Sequence, residues 1–171
     1  MKITNKLKEA AQKFRNEMNQ IKAQQKTLDQ VEVEPGQVWI VRFGDEATEA
    51  TFALTLSKPF DDGSGGVRIA PIHCSPINAH ICQETDIVVS GREFPTKITS
   101  LVEWWNDRPI NVVQLKAMIG VLEASEFERV KTMLKNRPES TSTNPNVRLF
   151  RLEQLEIGNL ISAPHFKELL S

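Results

Sequence analysis

Along the first thirty residues the apolar side chains fall at Leu7, Ala11, Phe14, Met18, Ile21 and Leu28, in alternating steps of four and three. Gln25 is the one polar place on that seam. Such spacing lines one side of a helix and predicts one over residues 4–29. Lys8, Glu9, Lys13, Arg15, Lys22 and Lys26 fill the other faces. The stripe is narrow, as in a short coiled coil. It serves equally to pack on its own domain, on a second copy or on a protein partner.

From Glu34-Pro35-Gly36 the period changes to two. Val38 to Phe43 is dense in β-branched and aromatic residues and predicts a strand. In a second strand Phe52, Leu54 and Leu56 alternate with Ala53, Thr55 and Ser57. The loop 60–66, FDDGSGG, has glycines able to take positive φ and closes a hairpin onto Val67–Pro71. Further strands are expected at Asp86–Ser90, Pro95–Ile98 and Ile110–Leu122, the last broken at Gly120, with one helical turn over 101–105. A helix then begins near Ala124, with Ser125 and Glu128 as a capping box and Phe127, Val130 and Leu134 on one side. The pattern predicts an α+β, mainly β, domain: a small curled antiparallel sheet closed by one helix.

Residues 136–146, NRPESTSTNPN, are polar and aperiodic and read as a linker. Beyond it, Val147, Leu149 and Arg151 alternate as in a strand, and Ser162 with Pro164 starts a last short helix. This apolar tail, 147–171, lies either against the barrel or against a partner. The resulting division is a heptad helix at 1–33, a barrel at 34–135, the linker and the tail.

The 171 residues carry a net charge of −1, which hides an asymmetry. Residues 1–30 hold seven Lys/Arg against three Asp/Glu, hence +4, whereas 31–136 hold ten against fifteen, hence −5. An acidic barrel argues against RNA as its ligand, because phosphate binding needs a basic surface. No apolar run reaches the ~20 residues that span a bilayer, and the N-terminus lacks a signal-peptide core. Two cysteines, Cys74 and Cys82, then read as reduced thiols, and the expected location is cytoplasmic.

Four phrases in order, PGQVWIVRF at 35–43, FALTLSKP at 52–59, GVRIAPIHCS at 66–75 and MIGVLEASEFERVKTML at 118–134, resemble the MazF/PemK (Kid/CcdB-like) family of bacterial toxins. Those are small, strongly bent, SH3-like barrels that cut single-stranded RNA, and the resemblance covers about 100 of the 171 residues. It implies that fold here, with a long N-terminal helix and a C-terminal extension added. In the family the second phrase begins with an Arg-Pro pair, and the third ends in a Thr or Ser pair after its Pro. Here those places read Thr51-Phe52 and His73-Cys74.

Cleavage by 2′-hydroxyl attack needs a base, an acid and a cation against the phosphorus charge. Neither Thr51 nor Phe52 replaces a guanidinium. His73 for acid–base work, Ser75 for a hydroxyl and Arg68 for charge (or Arg42) form the candidate set for a divergent endoribonuclease. The favoured expectation is a barrel without that chemistry, a protein-interaction module in a toxin–antitoxin, stress or defence system. A MazF-like module also occurs in regulatory components of some CRISPR-linked protease systems. Its expected partner contacts are Leu7, Phe14, Met18, Ile21 and Leu28 on the helix, with Trp104 and Trp105 on the barrel. One tryptophan is expected to be buried and the other on a rim. No cofactor is expected. No metal is expected either, since His73, Cys74, His80 and Cys82 lack zinc-finger spacing and His165 stands apart. A Cys74–His73 pair is disfavoured because strand neighbours point to opposite faces.

Overall fold

A computed structural model describes residues 8–9, 12–13, 15–16, 26–42, 51–73, 87–89, 99–138 and 144–161. Its strands are β1 (Gln37–Val41), β2 (Thr51–Thr55), β3 (Gly66–His73), β4 (Ile87–Val89), β5 (Ser100–Val102), β6 (Arg108–Asn111) and β7 (Leu115–Val121). All seven join one antiparallel sheet in the order β4-β5-β3-β2-β1-β7, with β6 also on β3. The long strand β3 organises the rest. One edge carries β2, while the other carries β6 beside residues 66–69 and β5 beside 72–73.

Alternation along the strands feeds two cores. Val38, Leu54, Ala70, Ile72, Val102 and Ile119 face one cluster, to which Trp104, Leu122 and Val130 belong. Trp39, Val41, Ala53, Val67, Ile69, Ile110 and Leu115 face the other. A sheet apolar on both sides must curl or be covered, and here a helix covers the first cluster. β7 bends through two register shifts opposite β1, where Ile119 and Lys116 are the extra residues. The turn before β1 rests on Gly36, at φ +89°, whose N–H donates to the Thr55 carbonyl. Buried Gln37 braces the same turn: it donates to the Glu32 carbonyl and accepts from the Glu34 N–H and the Trp39 indole.

Helix α1 (Ala124–Asn136) lays Val130, with Phe127, Met133 and Leu134, on the first cluster. This is the face expected from the sequence. Its start differs: Glu123 is the N-cap residue without a side-chain cap bond, so the Ser125–Glu128 box does not form. Arg137 ends the helix in the left-handed region, its N–H bonded to the Met133 carbonyl.

Other expectations are corrected. The break in the last long strand falls at the 3₁₀ turn Val112–Gln114, not at Gly120, because Asn111 and Gln114 cap that turn reciprocally. Residues 101–102 belong to β5, and the helical turn is shifted to a 3₁₀ turn at Trp104–Asn106. The expected strand Pro95–Ile98 lies outside the described residues, as does the expected helix from Ser162.

The largest correction is the tail. Residues 147–151 lie within helix α2 (Pro145–Ile161) and not in a strand. Asn144 starts it, accepting the Asn146 N–H through its side chain, and Pro145 takes the first helical place, where its missing N–H costs nothing.

At the other end, Lys8, Glu9, Gln12, Lys13, Arg15 and Asn16 are helical and exposed. The predicted helix does not reach 29. Lys26 forms a two-bond backbone bridge with Met118 on β7, and Leu28 sits in the turn that follows. No helix among the described residues is long and apolar enough to cross a membrane.

Candidate functional site

The C-terminal end of β3 and the 3₁₀ turn at 104–106 meet helix α2, and of the sequence-predicted residues His73, Trp104 and Trp105 lie there. His73 closes β3, paired with Leu101 of β5. Its imidazole is half-buried and meets the Phe150 ring edge-on, centroids 5.1 Å apart and 75° between planes. Removal from water disfavours the imidazolium, so the His73 pKa is pushed below its ordinary 6.5. Next on α2, Arg151 holds its guanidinium carbon 4.8 Å from the Trp105 ring centroid. Trp104 is in the core at 2% exposure, so any partner contact of the tryptophan pair falls to Trp105. The Trp105 indole Nε1 is buried with no hydrogen-bond partner. Val147, at 1% exposure, seats the start of α2, and the Asn106 amide donates to the Gln154 carbonyl at 3.2 Å.

Beneath this contact runs a buried polar chain. Glu103, Asn106 and Arg108 are all buried. The Asn106 amide donates to Glu103 Oε2 at 2.8 Å, and Arg108 donates to the Asn106 carbonyl and Oδ1. Burial pushes the Arg108 pKa down, opposed by the charges of Glu103 and Asp107.

Arg68 lies elsewhere. It is the exposed residue of β3 and donates from Nε to Asp107 Oδ2 at 2.6 Å. Arg137 donates to both oxygens of the same carboxylate at 3.1 Å. The Asp107 side chain is 3% exposed and the Arg68 and Arg137 side chains are 45% and 53% exposed. One buried carboxylate thus ties β3 to the end of α1.

Of the candidate ribonuclease set, Arg68 and His73 are not brought together. Arg68 and His73 are five places apart on one continuous strand, an odd number, which puts them on opposite faces and about 16 Å apart along it. Phe52, opposite Ile40 and Ile72, packs on the first core cluster. Arg42 is exposed just past β1. Ser75, Leu7, Phe14, Met18 and Ile21 lie outside the described residues. Leu28 packs partly on the second core cluster with Val31 and Val33. Among the described residues no group of three or more His, Cys, Asp or Glu converges as a metal site. Sequence reasoning missed Asp107, Arg137, Phe150 and Arg151; the Asn144-Pro145 helix start is the signal that would have placed the last two on a helix.

No family model matches the chain, and no curated protein matches it. Solved structures do. The Mycobacterium tuberculosis toxin MazF-mt6 is 22% identical over 58% of this chain and 93% of its own, with a TM-score of 0.44. A MazE–MazF structure from Deinococcus radiodurans is 14% identical over 63% and 96%, with a TM-score of 0.48. An endoribonuclease in complex with its cognate antitoxin, from a mycobacterial species, is 15% identical over 64% and 98%, also at 0.48. The chain is similar to these MazF-type structures in fold.

Proposed function

We propose that this chain is a MazF-like barrel without RNA cleavage, acting as a protein-interaction and regulatory module in a bacterial toxin–antitoxin, stress or defence system, CRISPR-linked ones included. One observation carries the reading: Phe150 roofs His73, while Arg68, on the other face of the strand, is held by Asp107. A base and a cation must act on one phosphate, and these two point apart. The loss of a preorganised cation alone commonly costs ~10²–10³ in rate. The acidic balance of residues 31–136 supports the same reading, since a net −5 repels a polyanion. The N-terminal seam of Leu7, Phe14, Met18 and Ile21 is assigned to self-association or to a protein partner.

The test is direct. Purified protein is incubated with single-stranded RNA beside a His73→Ala variant. The expected result is no cleavage separable between the two; sequence-specific cutting by the natural chain that the variant lacks overturns the reading.

A further inference from the structure

Helix α2 turns Val147, Phe150, Arg151, Gln154 and Leu155 to the barrel as buried or half-buried side chains. Its far face carries Arg148, Leu149, Leu152, Glu153 and Glu156, all exposed. Leu149 and Leu152 are 58% and 60% in water. Val113 and Val121 are as exposed, but one sits in the 3₁₀ turn before β7 and the other at the far end of that strand. A single exposed apolar side chain is ordinary. The two leucines instead lie one turn apart on one face of one helix. Arg148 and Glu153 flank them, and neither side chain has an ion partner among the described residues. On α1, by contrast, Glu126 with Arg129 and Glu128 with Lys131 are paired along the helix itself.

We infer that this far face of α2 is a contact surface for a second copy of the chain, the two helices lying parallel about a two-fold axis. A two-fold contact must be self-complementary, so that what one copy offers the other accepts. Leu149 and Leu152 meet that condition as the two seam positions of one heptad, with Arg148 and Glu153 at the positions flanking the seam. In a parallel pair the two kinds of flank face each other, so Arg148 of each copy meets Glu153 of the other. An antiparallel pair sets like flank against like flank, and the opposite charges do not meet. Charge thus selects both the occupant and its direction. The barrel lies behind the helix, so two copies meet helix to helix with their barrels outermost. The seam is short, because Glu156 comes one heptad after Leu149 and would face its own copy. The contact is accordingly smaller than a standard interface of ~1,600 Å², and a dissociation constant between about 1 μM and 1 mM is expected. This surface is separate from the N-terminal seam and stands whether or not the chain cuts RNA.

Sedimentation equilibrium of the full chain tests this. The natural chain should self-associate reversibly in that range, and less so as salt is raised. Leu149→Ala/Leu152→Ala should weaken the association by about tenfold or more, since the apolar seam is lost. Arg148→Glu and Glu153→Arg should each weaken it about tenfold, because two attractive pairs become two repulsive ones. The double variant Arg148→Glu/Glu153→Arg should return to within about threefold of the natural value, as the pairs re-form with exchanged signs. All four side chains are exposed, so these changes leave the core intact. A chain that stays monomeric at about 1 mM overturns the inference. So does unchanged association in the leucine variant, or a double variant that fails to restore what the single changes lose. Loss of association in Phe14→Ala/Met18→Ala but not in Leu149→Ala/Leu152→Ala would place the contact on the N-terminal seam and overturn it as well. No readout here depends on RNA cleavage, so failure is distinct from failure of the functional reading.

Discussion

Phe150 of the C-terminal helix presses edge-on against His73 at the end of the longest strand, with ring centroids 5.1 Å apart. The contact joins residues 77 positions apart in sequence.

Burial lowers the His73 pKa in the folded chain, whereas the unfolded chain keeps an ordinary value near 6.5. Below that value the unfolded state takes up a proton that the folded state refuses, so stability is full above pH 6.5 and falls as pH drops toward the folded pKa. Phe150→Ala opens the ring to water and should raise the His73 pKa and flatten this acid-side loss. NMR titration of the imidazole and thermal melts across pH 5–8 check both; an unmoved pKa would show that Phe150 contributes nothing to the burial.

Asp107 holds two guanidiniums from a nearly closed position. Asp107→Asn should cost about 1–3 kcal/mol in urea unfolding, below the value for a fully buried pair because both arginines can return to water.

Arg137, the other end of the same clamp, caps its helix at φ +39°. Arg137→Gly should therefore be near neutral in the natural chain, where lost pairing offsets relieved strain. In an Asp107→Asn background the same change should stabilise by about 1 kcal/mol. A double-mutant cycle reads the coupling, and additivity of the two changes would refute it.

Gly36 combines φ +89° with room for a methyl group, since an added Cβ would meet only the Phe127 ring at 3.6 Å. Gly36→Ala should then cost about 1–2 kcal/mol through backbone conformation alone. A larger loss by chemical denaturation would point to packing instead.

Deletion of residues 1–25 should leave the melting temperature within about 4 °C, the shift that ~1 kcal/mol produces at this size. Deletion through Val33 removes the Lys26–Met118 bridge and three side chains of the second core cluster. Burying each such side chain fully contributes roughly 1.5–3 kcal/mol, so the longer deletion should unfold or aggregate. Comparable melts for both truncations would show that the entry segment is dispensable.

Short runs dense in β-branched and aromatic residues, bounded by turn signals, were enough to locate β1, β2, β3 and β7, because a strand buried on both faces reads as a nearly continuous apolar run. The glycines at 63 and 65 take the positive φ that the hairpin loop demanded. Helix α1 was legible too, since Phe127, Val130 and Leu134 repeat at helical spacing over a long window. The tail was not. Val147 and Leu149 fit a strand, while Val147, Phe150 and Arg151 fit a helix, and five residues cannot separate the two periods. The barrel decides it: Val147 and Phe150 find the groove beside Trp105, and the Asn144-Pro145 start makes the helix cheap to begin. The candidate site divides in the same way. Residue types at 68 and 73 were readable, but which charges meet was not, because Asp107 reaches Arg68 across 39 residues and Arg137 across 30. Pairing at such separations depends on how β6 lies along β3 and where α1 ends, and only the folded chain fixes those two facts.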